Sequence, residues 1–316
     1  MLFLARTSLR QSVLTLTHRI KQYRKISWHA EQTLPKRLKF LVRSVFHSKY
    51  VDDFANVFES YPYKNIASNH PEIYRRIFRR YISTDFTVSQ RVHYLLSHFQ
   101  VMTEMFCNEW VDTIYNKNLP VRLLEIPIDD NIFFVDMCYN APLGGEGGLV
   151  LILLDASNTK IYSTSLSLVR MNDNKLHVTI GGLQGPRPTE VHSQEIVKIF
   201  TKKMYGLRPM NFMIFIVREF SKTIGADILE GIATKYHAGH SLNHRRVQNF
   251  KADYDKYWIE EGGTQHGSFF VLPLEEQRKE YEEIKSNKRS MYTKRYALLD
   301  QISEAIKIKL KSGFKS

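Results

Sequence analysis

The hydrophobic period of this chain changes near residue 120, and that change limits what the polypeptide can become. Before it, Val88, Val92, Leu95, Leu96, Phe99, Met102, Phe106, Trp110 and Ile114 recur at helical spacing, drawing one stripe to about Tyr115. Thr87 and Gln90 form a capping box at its start. Further upstream, Pro35 opens a helix with Leu38, Leu41, Val42, Val45 and Phe46 on one face, and Pro71 one with Ile73, Ile77, Phe78 and Tyr81. Beyond the change, Val121–Ile128, Asn131–Tyr139, Leu149–Asp155, Lys160–Val169 and Leu176–Ile180 read as strands. Asp129-Asp130 makes a tight turn between the first two, and the last three, joined by short polar turns such as Asn172-Asp173-Asn174, predict a three-strand antiparallel meander. Helices over 190–205 and Pro209–Ile224, a strand Ile228–Ala233, a short helix Tyr254–Glu260 and a strand Ser268–Leu272 follow. Helices over Leu274–Ile284 and Lys288–Leu310 close the reading. The expected fold is α/β (α+β). A helical, basic amino-terminal region over 1–118 packs on a mostly antiparallel mixed sheet with helices, in an α/β domain over 119–316.

Charge is unevenly placed. The 316 residues hold 45 Lys+Arg against 32 Asp+Glu, a formal net charge of +13. Residues 1–50 contain eleven of those bases and a single acid, Glu31, so they carry ten of the thirteen excess charges. Leu9, Val13, Leu16 and Ile20 make one apolar stripe within them. A basic amphipathic helix of this kind either packs on its own domain with a solvated basic face or lies on an anionic membrane; nucleic acid ranks behind both. Arg75, Arg76, Arg79 and Arg80 form a second basic cluster, read as a solvated helix face. Two cysteines, Cys107 and Cys138, exclude a disulfide scaffold and a Cys-rich zinc site. The start of the chain lacks the apolar core of a secretory signal, and the longest apolar run, Leu207–Ile224, is interrupted by Pro209, Asn211, Arg218 and Glu219. The expected location is cytoplasmic, with a peripheral position at the inner membrane as the alternative.

The segment Ile180-Gly181-Gly182-Leu183-Gln184-Gly185-Pro186-Arg187-Pro188 concentrates glycine at a strand end, where backbone can approach closely and a following helix can offer N–H groups to an anion. Gly182, Gln184, Gly185 and Arg187 are the candidate cofactor-binding residues, with acyl-CoA as the ligand. The order meander, glycine loop, helix, strand, helix, strand is similar to the core of Gcn5-related N-acetyltransferases. Pro186 and Pro188 depart from that loop because they remove donors. The alternative is a tight strand-to-helix turn needed only for folding. Tyr236 and His237, just past a strand end, and Glu260, beside Trp258, are the catalytic candidates. His237, His240 and His244 have metal-like spacing, yet no carboxylate lies among them and Arg245 and Arg246 oppose a cation, so no metal is expected. No G-x-S-x-G elbow occurs. Lys288–Tyr296 interleaves bases with aromatics, and its rings also fit one packed helical face.

Five ordered blocks resemble the VirK/YbjX family (domain of unknown function 535), above all its virulence-associated members: Ile180–Gly185, Leu207-Arg208-Pro209, Tyr254–Gly263 with its Tyr-Asp-x-x-Trp-x-Glu core, Phe270-Val271-Leu272-Pro273, and Lys288–Asp300. The resemblance implies a virulence-associated factor. Its implied roles are envelope integrity, outer-membrane placement of a surface protein and resistance to cationic antimicrobial peptides. Envelope or outer-membrane proteins are the implied partners, beside the anionic membrane surface. It supplies no reaction, cofactor or catalytic residue. Two classes of function therefore stand: a cytoplasmic factor without catalysis, and an acyl-CoA-dependent acyltransferase acting on an envelope component or protein.

Overall fold

The computed structural model describes residues 17–28, 30–139, 145–186, 191–239 and 253–315. Leu9, Val13, Leu16, Arg187, His240 and His244 lie outside the described residues. Residues 17–28 are helical (α1), followed by α2 (Leu34–Phe46), α3 (Ser48–Phe58), α4 (Lys64–Asn69), α5 (Val88–Met105) and the short α6 (Asn108–Val111). The sheet strands are β1 (Val121–Ile128), β2 (Asn131–Cys138), β3 (Leu149–Leu154), β4 (Lys160–Arg170), β5 (Leu176–Gln184), β6 (Ile228–Ile232), β7 (Thr264–His266) and β8 (Phe269–Leu272). Helices α7 (Val191–Lys203) and α8 (Pro209–Thr223) cross from β5 to β6, α9 (Tyr254–Glu260) precedes β7, and α10 (Arg289–Ser312) ends the order.

The sheet runs β1-β2-β3-β4-β5-β6-β8-β7, antiparallel throughout except where β5 pairs β6. The expected three-strand meander, β3-β4-β5, is present and continues through β2 and β1 to five strands, and the two-helix crossover makes the parallel pair. Glu230 on β6 reaches Tyr94 of α5, while Trp258 of α9 lies against its neighbour Gly231. Adjacent strand residues point to opposite faces, so α5 and α9 cover opposite sides of the sheet. Helix α8 joins the α9 side, because its Arg218 binds Glu261 at 2.8 Å. It is buried nearly all round, from Phe212 to Ser221, as a helix with apolar residues on every face must be. One continuous hydrophobic cluster extends from Tyr23 to Leu310. Among the described residues no helix is long and apolar enough to cross a membrane.

Four local expectations change. The stripe from Val88 does not run on as one helix: α5 ends at Met105 with its capping box in place, because the backbone at Phe106 and Cys107 pairs instead with Phe314 and Gly313. Leu274–Ile284 is not a helix beyond a 3-10 turn at Tyr281–Glu283. It lacks an apolar stripe, and its polar groups bind α10: Arg278 pairs with Asp300 at 2.6 Å, and the Lys279 N–H donates to the Tyr296 hydroxyl. Strand β5 continues to Gln184, so Gly181 and Gly182 are strand residues rather than a loop. Helix α2 forms as expected, yet it buries Phe40 and Ser44 and leaves Leu38, Val42, Val45 and Phe46 exposed.

Candidate functional site

The site is built where the parallel pairing of β5 and β6 stops. Register holds from His177↔Ile228 to Ile180↔Gly231, and β5 then continues alone on that side. The backbone groups of Leu183 that would have bonded β6 go to one side chain: the Tyr254 hydroxyl donates to the Leu183 carbonyl at 3.0 Å and accepts from its N–H at 3.1 Å. Helix α9 is aimed there by its first turn. Asp253 caps Lys256 N–H, and Asp255 accepts from Thr234 N–H at 2.7 Å, fixing the helix to the end of β6. Trp258 fills the space above Gly231 and donates to the Ile232 carbonyl at 2.9 Å.

On β5 the register slips between Ser165 and Leu166 of β4, leaving Gly181 as the bulged residue. Into this bulge folds the segment Gly145-Glu146-Gly147-Gly148. A Cβ on Gly181 would stand 1.8 Å from the Glu146 carbonyl oxygen, and one on Gly182 2.1 Å from its Oε2. The two glycines are there to admit Glu146. Gln184 donates to that carboxyl at 3.2 and 3.3 Å, and Ser165 also hydrogen-bonds it. Burial pushes the Glu146 pKa up to about 7, with the bonds from Gln184 and Ser165 and the charge of Lys160 pulling the other way. The Nε2 of buried His237 lies 3.9 Å from Glu146 Oε1, and its ring centroid 5.4 Å from that of Tyr254. The His237 Nδ1 accepts from Gly239 N–H at 3.0 Å, so the neutral ring carries its proton on Nε2, on the side of the carboxylate. Next to Gln184 in the register, Ser163 keeps a buried hydroxyl with no hydrogen-bond partner among the described residues.

A cavity of about 660 Å³ opens beside the same strand end. Tyr162, Pro186 and Val197 form apolar wall, and Lys198, Lys202 and Arg208 bring positive charge. Tyr162 also packs on Gly185, which links the cavity to the end of β5.

The sequence candidates divide. Gly182, Gln184 and His237 meet at Glu146, and Gly185 packs against the ring of Tyr162, which lines the cavity. Tyr236 is half-buried, its carbonyl accepting from Thr84 N–H at 2.7 Å and its ring under Lys235. Glu260 is exposed and lines a different cavity with Arg218 and Arg278. Its neighbour Glu261 is held by Arg218 and Asn211. Glu146 is not among the sequence candidates. The signal was present: one carboxylate bracketed by Gly-Gly on each side, a pattern that lets backbone enter a space no other residues would fit. Gly147 would collide with the backbone of Leu166, and Gly148 with the His98 ring.

The fold and site define a mixed α/β protein in which, among the described residues, one parallel strand pair ends at a largely buried carboxyl group, with a basic, apolar cavity opening at the same strand end. More particularly, the chain belongs to the DUF535 family, described as a protein of unknown function, whose model matches residues 29–308. It is 28% identical over 277 residues to an uncharacterized protein of Haemophilus influenzae, covering 87% of this chain and 89% of that one. A second uncharacterized protein of that organism is 33% identical over 158 residues, 50% of this chain and about half, 51%, of the relative's own length. The uncharacterized protein YbjX of Escherichia coli is 25% identical over 279 residues, 87% of this chain and 82% of that one. No solved structure matches.

Proposed function

We propose that this chain serves the cell envelope from the cytoplasmic side as an acyl-CoA-dependent acyltransferase, with Glu146 as the group that accepts a proton from the attacking amine or hydroxyl. One observation carries the reading: a largely buried carboxyl with a pKa raised to about 7 stands at the divergence of β5 and β6, and a cavity lined by Lys198, Lys202 and Arg208 opens at the same strand end on the Tyr162 face. A base whose pKa lies near the working pH combines availability with strength. Gln184 and Ser165 hold the carboxyl in place, and His237 faces it with an N–H. Acyl-CoA supplies an acyl group activated as a thioester. Lys198, Lys202 and Arg208 suit its phosphates, and Tyr162 and Val197 suit its apolar portion. Pro186 offers no N–H, so side chains rather than loop amides hold the anion.

A second reading has its own support. Tyr254 closes the gap between β5 and β6, and a filled gap suits a factor without catalysis that aids envelope integrity, placement of a surface protein and resistance to cationic peptides. Calorimetry with acetyl-CoA and longer acyl-CoAs separates the two. Binding that disappears in the double variant Lys198→Glu/Lys202→Glu, and persists in Glu146→Gln while turnover is lost, is the expected pattern. No heat with any acyl-CoA would sink the enzymatic reading and leave the second. Activity, once present, should rise with pH to a plateau above about 7 as Glu146 ionises.

A further inference from the structure

Helix α2 faces outward with the wrong side for a soluble protein. Leu34, Leu38, Val42 and Phe46 follow one another at four-residue steps, with Val45 between them, and all five are exposed: Leu38 57%, Val42 55% and Phe46 81%. The buried face is the opposite one, Phe40 and Ser44. Trp28, 55% exposed, lies at the same helix, where Arg37 of α2 stacks over its ring at 3.8 Å. A contiguous apolar face of this kind marks a docking surface.

Charge decides what docks. Residues 17–50 carry nine Lys/Arg and one acid, Glu31, and that acid is buried and turned toward Arg79 at 3.4 Å. Lys36 and Lys39 of α2, Lys49 of α3, and Lys21, Arg24 and Lys25 of α1 are all exposed, on the same helix as the row and on its two neighbours in sequence. A second copy would bring the same cations face to face, and nucleic acid has no use for an aliphatic row. An apolar stripe on a base-rich run of helices, with an exposed Trp at the same helix, fits the boundary of an anionic bilayer, where acyl chains take the stripe and headgroups the cations. Thirteen residues are too few to span, so the helix would lie in the interface plane.

We propose that α2 is the membrane-docking element of this protein and that its ligand is an anionic phospholipid surface. The inference stands apart from the chemistry at Glu146, since none of these residues lines either cavity described above.

The test is flotation of the full chain with vesicles of phosphatidylcholine alone or with phosphatidylglycerol at roughly a third of the lipid. The chain should float with the anionic vesicles, bind neutral ones at least about tenfold more weakly, and be released by high salt. The triple variant Leu38→Ser/Val42→Ser/Phe46→Ser should lose about tenfold or more in affinity with its melting temperature unchanged, because the replaced side chains are already solvated. Trp28 provides a second readout: the other two tryptophans, Trp110 and Trp258, are buried, so a blue shift of emission on adding vesicles should vanish in Trp28→Phe. The proposal fails if the wild-type chain does not float. It fails equally if the triple variant floats as well as wild type, which would move binding to another part of the chain. A concentration-dependent dimer that the same substitutions dissolve, without lipid binding, would assign the face to a second copy instead. Absence of acyl-CoA binding would leave the flotation result untouched.

Discussion

Two titratable side chains, His98 packed against the Gly145–Gly148 segment and Glu146 within it, respond to pH in opposite directions. Burial lowers the pKa of His98 to about 3. Its Nδ1 accepts from Leu168 N–H at 3.1 Å, so Nε2 donates to the Tyr115 hydroxyl at 2.9 Å. Below its ordinary value of 6.5 the unfolded chain takes up a proton that the folded chain refuses, so stability is lost as pH falls from 6.5 toward 3. Glu146 works the other way. Its folded pKa of about 7 exceeds its ordinary 4.5, so the folded chain keeps a proton that the unfolded chain releases, and stability is lost as pH rises from 4.5 to 7. Glu146→Gln should therefore gain stability relative to wild type as pH rises through that window, by on the order of 2–3 kcal/mol at pH 8, and gain none at pH 4. Denaturant melts at a series of pH values measure this, and equal differences at both ends would refute the assignment. Gly182→Ala should cost about 1–3 kcal/mol through the clash with the Glu146 carboxyl. A second change, Glu146→Ala, should recover most of that loss. Gly181→Ala should not be recovered, because its clash is with backbone.

Among the elements, β5 and α9 illustrate what a sequence discloses. The meander, the crossover, α9 and α10 were legible because each writes its period over enough residues. The extension of β5 through Gly181 and Gly182 was not, since glycine carries no periodicity and its role here depends on a residue 35 positions earlier, Glu146. Leu274–Ile284 misled for the converse reason: good helix formers without a buried face were captured by α10. Helix α2 was correctly placed, but a row of apolar side chains does not state whether it meets core or solvent. Exposure depended on which face Phe40 offered to Phe78, whose rings meet edge-on at 5.1 Å. The Tyr254 strap also required the fold to be seen. Tyr254→Phe removes both bonds to Leu183, and exchange of the Leu183 amide should quicken markedly while global stability falls by only about 1 kcal/mol. Exchange at Leu183 unchanged from wild type would mean that the strand end is held by other means.

At the scale of the molecule, the helices before β1 and the sheet share one core rather than meeting at a surface. Past Leu166, where β3 no longer pairs with β4, the N–H groups of Leu168 and Arg170 are taken by His98 and Ser97 of α5. Tyr81 bonds Ser167 at 2.6 Å inside the same interface. At the far end, Phe314 closes on Phe106 with ring centroids 5.6 Å apart, and a Cβ on Gly313 would stand 2.5 Å from the Trp110 ring. Removing the helical third would thus strip apolar cover and hydrogen-bond partners from a central strand, not an edge. Heating the full chain should give a single calorimetric transition whose van't Hoff and calorimetric enthalpies agree. Residues 119–316 alone should show secondary structure by far-ultraviolet dichroism without a cooperative melt. Two resolved transitions, or a cooperative melt of the shorter chain, would show that the sheet carries a core of its own, and α5 would then be cover added to a finished domain rather than one wall of it.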